Sequence, residues 1–209
     1  HGYDLKALMR LILLSETYRR ASDPLPGNRD DRKWFARAYP RRLMAEVLSD
    51  AISDVTGVRD QYTEIAMSDG STEKLAGSNA ATRAIQLHDS AVKNYFLKAF
   101  GRNAREITCE CERSNQPSLV QVLHLSNGPT INDKLAAKAG RVTQILATDP
   151  TPQAVIEDAW LWCLSRMPTD AEKKPFEEML AAAKPEEQRE LVEDMLWSLL
   201  TSREFLFRH

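Results

Sequence analysis

The sequence predicts an all-α fold, and three observations carry that expectation. Apolar residues recur at helical spacing, most clearly at Leu5, Leu8, Met9 and Ile12 and again at Leu43, Val47, Leu48, Ala51, Ile52 and Val55. Residues that start and stop helices punctuate these stripes. The composition, 43% apolar and 28% charged over 209 residues, is that of a folded globular chain and excludes a disordered or collagen-like one. A chain of this length buries about 70% of its extended surface, enough for one sizeable core or two small ones. We therefore expect an irregular multi-helix domain of about eight helices over residues 1–209, with little or no sheet. Residues 152–204 form a C-terminal helical bundle in this reading.

Each element follows from local signals. Asp4 precedes the first stripe, which predicts a helix from Leu5 to about Arg19. Asp23-Pro24-Leu25-Pro26-Gly27-Asn28 breaks it. Pro40 is placed at the first position of a second helix that Gly57 stops. Residues 58–88 carry turn clusters at Ser68-Asp69-Gly70-Ser71 and Gly77-Ser78-Asn79 and no sustained stripe, with a short extended piece around Ala84–Leu87. Loops of that length are often functional or mobile. Asp89-Ser90 caps the next helix, Gly101 ends it, and Pro117 opens another that runs to Asn127-Gly128-Pro129. Helices follow at about 130–138 and 141–148. Thr151-Pro152 starts the first helix of the C-terminal bundle, and Thr169 with Glu172 is a reciprocal capping box for the second. Pro185 opens the last.

Charge and length exclude several classes. The formal net charge of -2 gives no overall basic field of the kind nucleic-acid binders carry. The charge is uneven: residues 1–42 hold ten Lys/Arg and five Asp/Glu, and residues 43–209 hold 18 and 25. A basic head packing on an acidic body explains this better than an external anion does. The apolar run Leu11-Ile12-Leu13-Leu14 is far short of a membrane span. The start at His1-Gly2-Tyr3-Asp4 has no signal-peptide pattern and is expected to lie in the middle of a longer protein.

The densest chemistry lies in Cys109-Glu110-Cys111-Glu112-Arg113. In an extended chain Cys109, Cys111 and Arg113 share one face, and Glu110 and Glu112 the other. Two thiolates can begin a zinc site, which needs four ligands; His88 and His124 are the internal histidines able to complete it. The plainer reading is two structural thiols flanked by ion pairs through Glu112 and Arg113. A nucleophilic cysteine lowered in pKa by Arg105 or Arg113 has no support from spacing. Three cysteines, Cys109, Cys111 and Cys163, cannot make a disulfide scaffold, and a Cys109–Cys111 ring would be strained. His124, between Leu123 and Leu125, fits a hydrogen-bonded core or rim position better than a ligand. Trp160 and Trp162 face different sides of their helix. Phosphate-cradling glycine loops, Gly-x-Ser-x-Gly and His-Glu-x-x-His are all missing from the sequence.

Several segments taken together carry a resemblance. They are Tyr3–Leu8 with Ser15–Arg19, Pro40–Ile52, and Phe100-Gly101-Arg102 with Cys109–Ser114 and Leu123–Asn127. Ser165–Glu172 and the closing Trp197–Phe207 complete the set. Over essentially its whole length the chain resembles the planctomycete-specific domain of unknown function that closes large exported proteins. It departs from the common Leu-Leu-Asn run at Leu125-Ser126-Asn127, and residues 60–80 match least. The resemblance implies export to the periplasm or cell surface, and upstream domains of the same polypeptide as partners, among them a haem-binding cytochrome-c-like module. It carries no assigned reaction, no catalytic residue, and no cofactor bound by this segment.

The sequence thus favours a non-catalytic structural or interaction module over an enzyme, with an exposed apolar patch near the first helix. A second reading gives the 58–88 loop a role in binding or hydrolysing surface polysaccharide or sulfated sugar, with Arg83 holding the anionic group. A third makes Cys109 and Cys111 a metal or redox site serving the upstream haem module.

Overall fold

Asp4 opens α1 (Leu5–Leu13) because its carboxylate accepts from the Ala7 backbone N–H at 3.1 Å. The helix ends well before Arg19. The Ser15 hydroxyl donates to the Ile12 carbonyl at 2.7 Å and accepts from the Tyr18 N–H at 3.2 Å, which starts a separate turn in place of the next helical one. The computed structural model describes residues 2–67, 69–74, 82–87, 91–102, 118–148 and 150–208. These fall into two compact units, His1–Arg42 with Phe207–His209, and Leu43–Leu206.

Beyond α1, the first unit is built from polar turns. Asp31 accepts from the backbone N–H groups of Lys33, Trp34 and Ala36 at 2.9, 2.8 and 2.8 Å, and these three bonds hold its carboxyl below the usual range. Phe35, inside that turn, takes a left-handed backbone with φ 52°, rare for a bulky residue, and its carbonyl accepts from Arg20. Pro40 does not begin a helix: it precedes β1 (Arg41–Arg42), which pairs antiparallel with the terminal strand, Arg41 opposite Arg208 and Arg42 opposite Phe207.

In the second unit the chain starts α2 (Ala45–Thr56) after Met44. Leu48, Ile52 and Val55 are buried, as the stripe requires, and Gly57 closes the helix at φ 72° in the left-handed region that glycine adopts at no steric cost. Residues expected to lack regular structure form a small hairpin, β2 (Glu64–Ala66) with β3 (Thr72–Lys74). Glu64 stands opposite Lys74, a favourable cross-strand charge pair, and Val92 bridges to Ile65 from outside the hairpin. Three-residue strands were too short to show a period in the sequence. Ala84–Gln86 is a 3₁₀ turn, not an extended piece.

The rest is helical. α3 (Tyr95–Ala99) starts at Asn94, whose side chain accepts from the Leu97 N–H at 3.0 Å, while the expected Asp89-Ser90 cap lies outside the described residues. Ser118 and Gln121 form a reciprocal cap on α4 (Leu119–Asn127). α5 (Pro129–Ala136) and α6 (Arg141–Leu146) follow, then α7 (Pro152–Leu164), α8 (Asp170–Ala182) and α9 (Gln188–Leu200). The last three pack on one another as the C-terminal bundle. A short α10 (Arg203–Leu206) leads into the terminal strand, β4 (Phe207–Arg208). Pro185 lies in a turn just before α9 and not inside it. The core joins α2, α3 and α5 to this bundle through side chains such as Leu48, Phe100, Ile131, Ile156 and Leu196.

What fixes α2 is its polar side, for Glu46, Ser49, Asp50, Ser53 and Thr56 are all buried. Asp50 accepts from the backbone N–H groups of Ala84 and Ile85 at 2.7 and 3.1 Å, which anchors the 3₁₀ turn. The Lys134 ammonium, 6% exposed, donates to Ser53 at 2.7 Å and the Val58 carbonyl at 3.2 Å and lies 2.9 Å from Asp60. Arg141 covers the end of the helix, donating to the Val55 and Asp54 carbonyls at 2.6 and 3.0 Å. Its guanidinium stacks 3.5 Å from the Trp162 ring, so Trp162 faces outward while Trp160 is buried against Phe176. Replacing Lys134 by Ala leaves Asp60 and Ser53 without their buried partner. We expect a loss of about 3 kcal/mol, measured as a lower urea midpoint at unchanged slope.

Candidate functional site

α1 is the element whose sequence and surroundings disagree most. Its nine residues, LKALMRLIL, include seven apolar ones, with Lys6 and Arg10 four apart on one edge. Such a helix normally buries its stripe, yet no α1 residue is buried. Leu5, Leu8, Met9 and Ile12, the predicted stripe, stand 67, 51, 60 and 48% exposed, and Leu11, Leu13 and Leu14 are exposed beside them. Burying those four stripe side chains would contribute on the order of 6–12 kcal/mol before opposing terms. The Asp4 cap closes the N-terminal end of the helix and the Leu14 N–H bond to the Arg10 carbonyl closes the other.

The residues singled out from sequence fall elsewhere. Arg83 lies before the 3₁₀ turn, with Nη2 2.8 Å from Asp54 and Nε 3.5 Å from Asp50. Its guanidinium therefore ties the 3₁₀ turn to α2. His124, on α4, shares a hydrogen bond of 2.8 Å between Nε2 and the Thr130 hydroxyl. Its ring sits among Tyr95, Phe96 and Phe100, and burial lowers its pKa. That is a rim histidine joining α4 to α5. Cys109, Cys111, Glu112, Arg113 and His88 lie outside the described residues. Among the described residues no group of three His, Cys, Asp or Glu side chains is placed to hold a metal ion. Cys163 is buried in α7, and burial pushes its thiol up to about 12.

Thr169 and Glu172 cap α8 reciprocally: the Thr169 N–H donates to Glu172 at 2.8 Å and the Glu172 N–H to the Thr169 hydroxyl at 3.4 Å. Sequence reasoning missed their partner. Arg166 grips Glu172 with two guanidinium nitrogens at 2.9 and 2.7 Å, and Glu204 with Nε and Nη2 at 2.6 and 2.8 Å. The Ser165-Arg166-Met167-Pro168-Thr169 run places the guanidinium at the mouth of α8, but Glu204, on α10, is 38 residues away.

The second unit is a helical scaffold and the first carries an unburied amphipathic helix, features of an α-helical module. Among the described residues no helix is long and apolar enough to cross a membrane. A family model described as PSD1, protein of unknown function (DUF1553), matches residues 1–180, and the chain belongs to that family. It is the family that the sequence motifs resemble. No curated protein and no solved structure matches the chain.

Hydrogen bonds from Arg166, then from the Thr169 backbone, lower the Glu172 pKa from 4.5 to about 2. A carboxylate depressed in the folded state stabilises above its unfolded pKa, and that contribution is lost as the pH falls through the folded one. Between pH 4.5 and 2 the thermal midpoint of the native protein should therefore fall more steeply than that of Glu172→Gln. Parallel curves would show that the Arg166 grip contributes nothing.

Proposed function

We propose that the chain is a non-catalytic interaction module of a larger exported protein, and that α1 docks it onto a neighbouring domain of the same polypeptide. The carrying observation is α1 itself: capped, amphipathic and buried nowhere along its length. Isolated apolar side chains on a surface are ordinary. A contiguous stripe over a complete helix marks a face that another surface covers. Lys6 and Arg10 on the edge of the stripe favour a partner whose apolar groove is rimmed by carboxylates. Export and a cell-surface or periplasmic setting rest on the family resemblance, as does the choice of an upstream domain as partner.

The test places a photo-cross-linking amino acid at position 8 of the full-length protein in its native cells. Cross-linked peptides from an upstream domain of the same chain are expected; cross-links confined to solvent quenching or lipid would overturn the reading. Leu8→Ser combined with Ile12→Ser removes no buried contact. Its unfolding free energy should stay within about 1 kcal/mol of the parent while binding of a hydrophobic dye drops.

A further inference from the structure

The first unit holds an open groove of about 510 Å³ whose lining is out of keeping with a bare structural surface. Its lining includes three aromatic residues, Tyr18, Phe35 and Tyr39, and three arginines, Arg37, Arg41 and Arg208, and none of the described lining residues has a side-chain carboxylate. Arg41 and Arg208 are directly opposed across the β1–β4 pair, where like charges repel. Among the described residues neither side chain forms an ion pair or hydrogen bond. Arg37 donates only to carbonyls, those of Ser22 at 3.0 Å and of Ala38 and Arg29 at 3.5 Å, and lies 5.1 Å over the Tyr39 ring. Asp31, whose charge Arg37 feels, is held by its three backbone N–H groups and is not part of the groove lining.

The walls are positioned by the fold. The Tyr39 hydroxyl donates to the Asp31 carbonyl at 2.6 Å, and Arg20 holds the Phe35 carbonyl with that residue at φ 52°. A bulky residue kept left-handed stores strain that the surrounding turn must sustain, a pattern that concentrates at ligand sites. Phe35 and Tyr39 meet edge to face, 5.8 Å apart at 61°.

We propose that this groove binds a sugar ring bearing a sulfate or carboxylate group. The opposed Arg41 and Arg208 forks take the oxyanion bidentately and remove the repulsion between them. The aromatic faces take the apolar face of the ring, and the Thr17 hydroxyl at the rim pairs with ring hydroxyls. The cavity volume suits one or two rings. An acidic peptide fits less well, because a ladder of two residues per strand offers no edge for an added strand. A nucleotide fits less well too, because crossed rings leave no parallel slot for a base.

Calorimetric titration of the full chain with galactose 6-sulfate, galactose, inorganic sulfate and adenosine monophosphate tests this. The sulfated sugar should saturate one site at least about tenfold more tightly than any of the other three. Arg41→Gln with Arg208→Gln should weaken it at least about tenfold, and Tyr18→Ala, which leaves the strand pair intact, should weaken it also. Arg32→Gln, an exposed arginine outside the groove, should bind as the parent does. Absence of saturation, equal affinity for sulfate alone, tighter binding of the nucleotide, or full affinity in the Tyr18 variant would each overturn the proposal. Circular dichroism of each variant separates lost binding from lost folding.

Discussion

The second unit depends on the need to satisfy the polar side of α2 once that side is buried. Apolar packing of Leu48, Ile52 and Val55 would tolerate rotation of the helix or a shift along its axis. Glu46, Ser49, Asp50 and Ser53 do not tolerate it, because an unpaired buried polar group costs about 1–3 kcal/mol each. Each draws a different segment inward. Asp50 brings the 3₁₀ turn, Ser53 brings Lys134 of α5, and Glu46 faces Arg102 at 3.6 Å with both side chains 7% exposed. Arg141 closes the C-terminal carbonyls and is itself backed by Trp162. The positions of the 3₁₀ turn, α5 and α6 are set by directional bonds to one twelve-residue helix.

The first unit follows another principle. It carries little buried apolar surface and is held by polar bonds, some closing within a few residues, as at Asp31 and Ser15, and some reaching 15 residues, as from Arg20 to Phe35 and Arg37 to Ser22. Its apolar helix is left on the surface. Within the second unit, Asp50 and Asp54 pair with Arg83, and Glu46 with Arg102.

Much of this was legible in the sequence, for physical reasons that can be named. Gly57, Thr151 and Thr169 mark helix ends by chemistry confined to four residues, and those ends fall where the residues place them. The α1 stripe was equally plain, and its expected exposure is present. Pro40 misled because a fixed φ suits an extended residue before a strand as well as a first helical turn. The hairpin at 64–74 was invisible because three-residue strands carry no measurable period. The arginine groove was out of reach for a deeper reason: Arg41 meets Arg208 only through a pairing that spans the chain, and no local signal announces it.

The separation between partners also bears on how the second unit assembles. Lys134 reaches Ser53 across 81 residues and Arg141 reaches Val55 across 86, whereas the Arg166–Glu172 grip closes over six. Loop closure favours short-range contacts, so the C-terminal bundle with its capped α8 is the natural nucleus, and the bonds around α2 form as the last segments arrive. Weakening those late bonds speeds unfolding far more than it slows folding. The lifetime of the native state is then governed at α2, and the rate of reaching it at the opposite end of the unit.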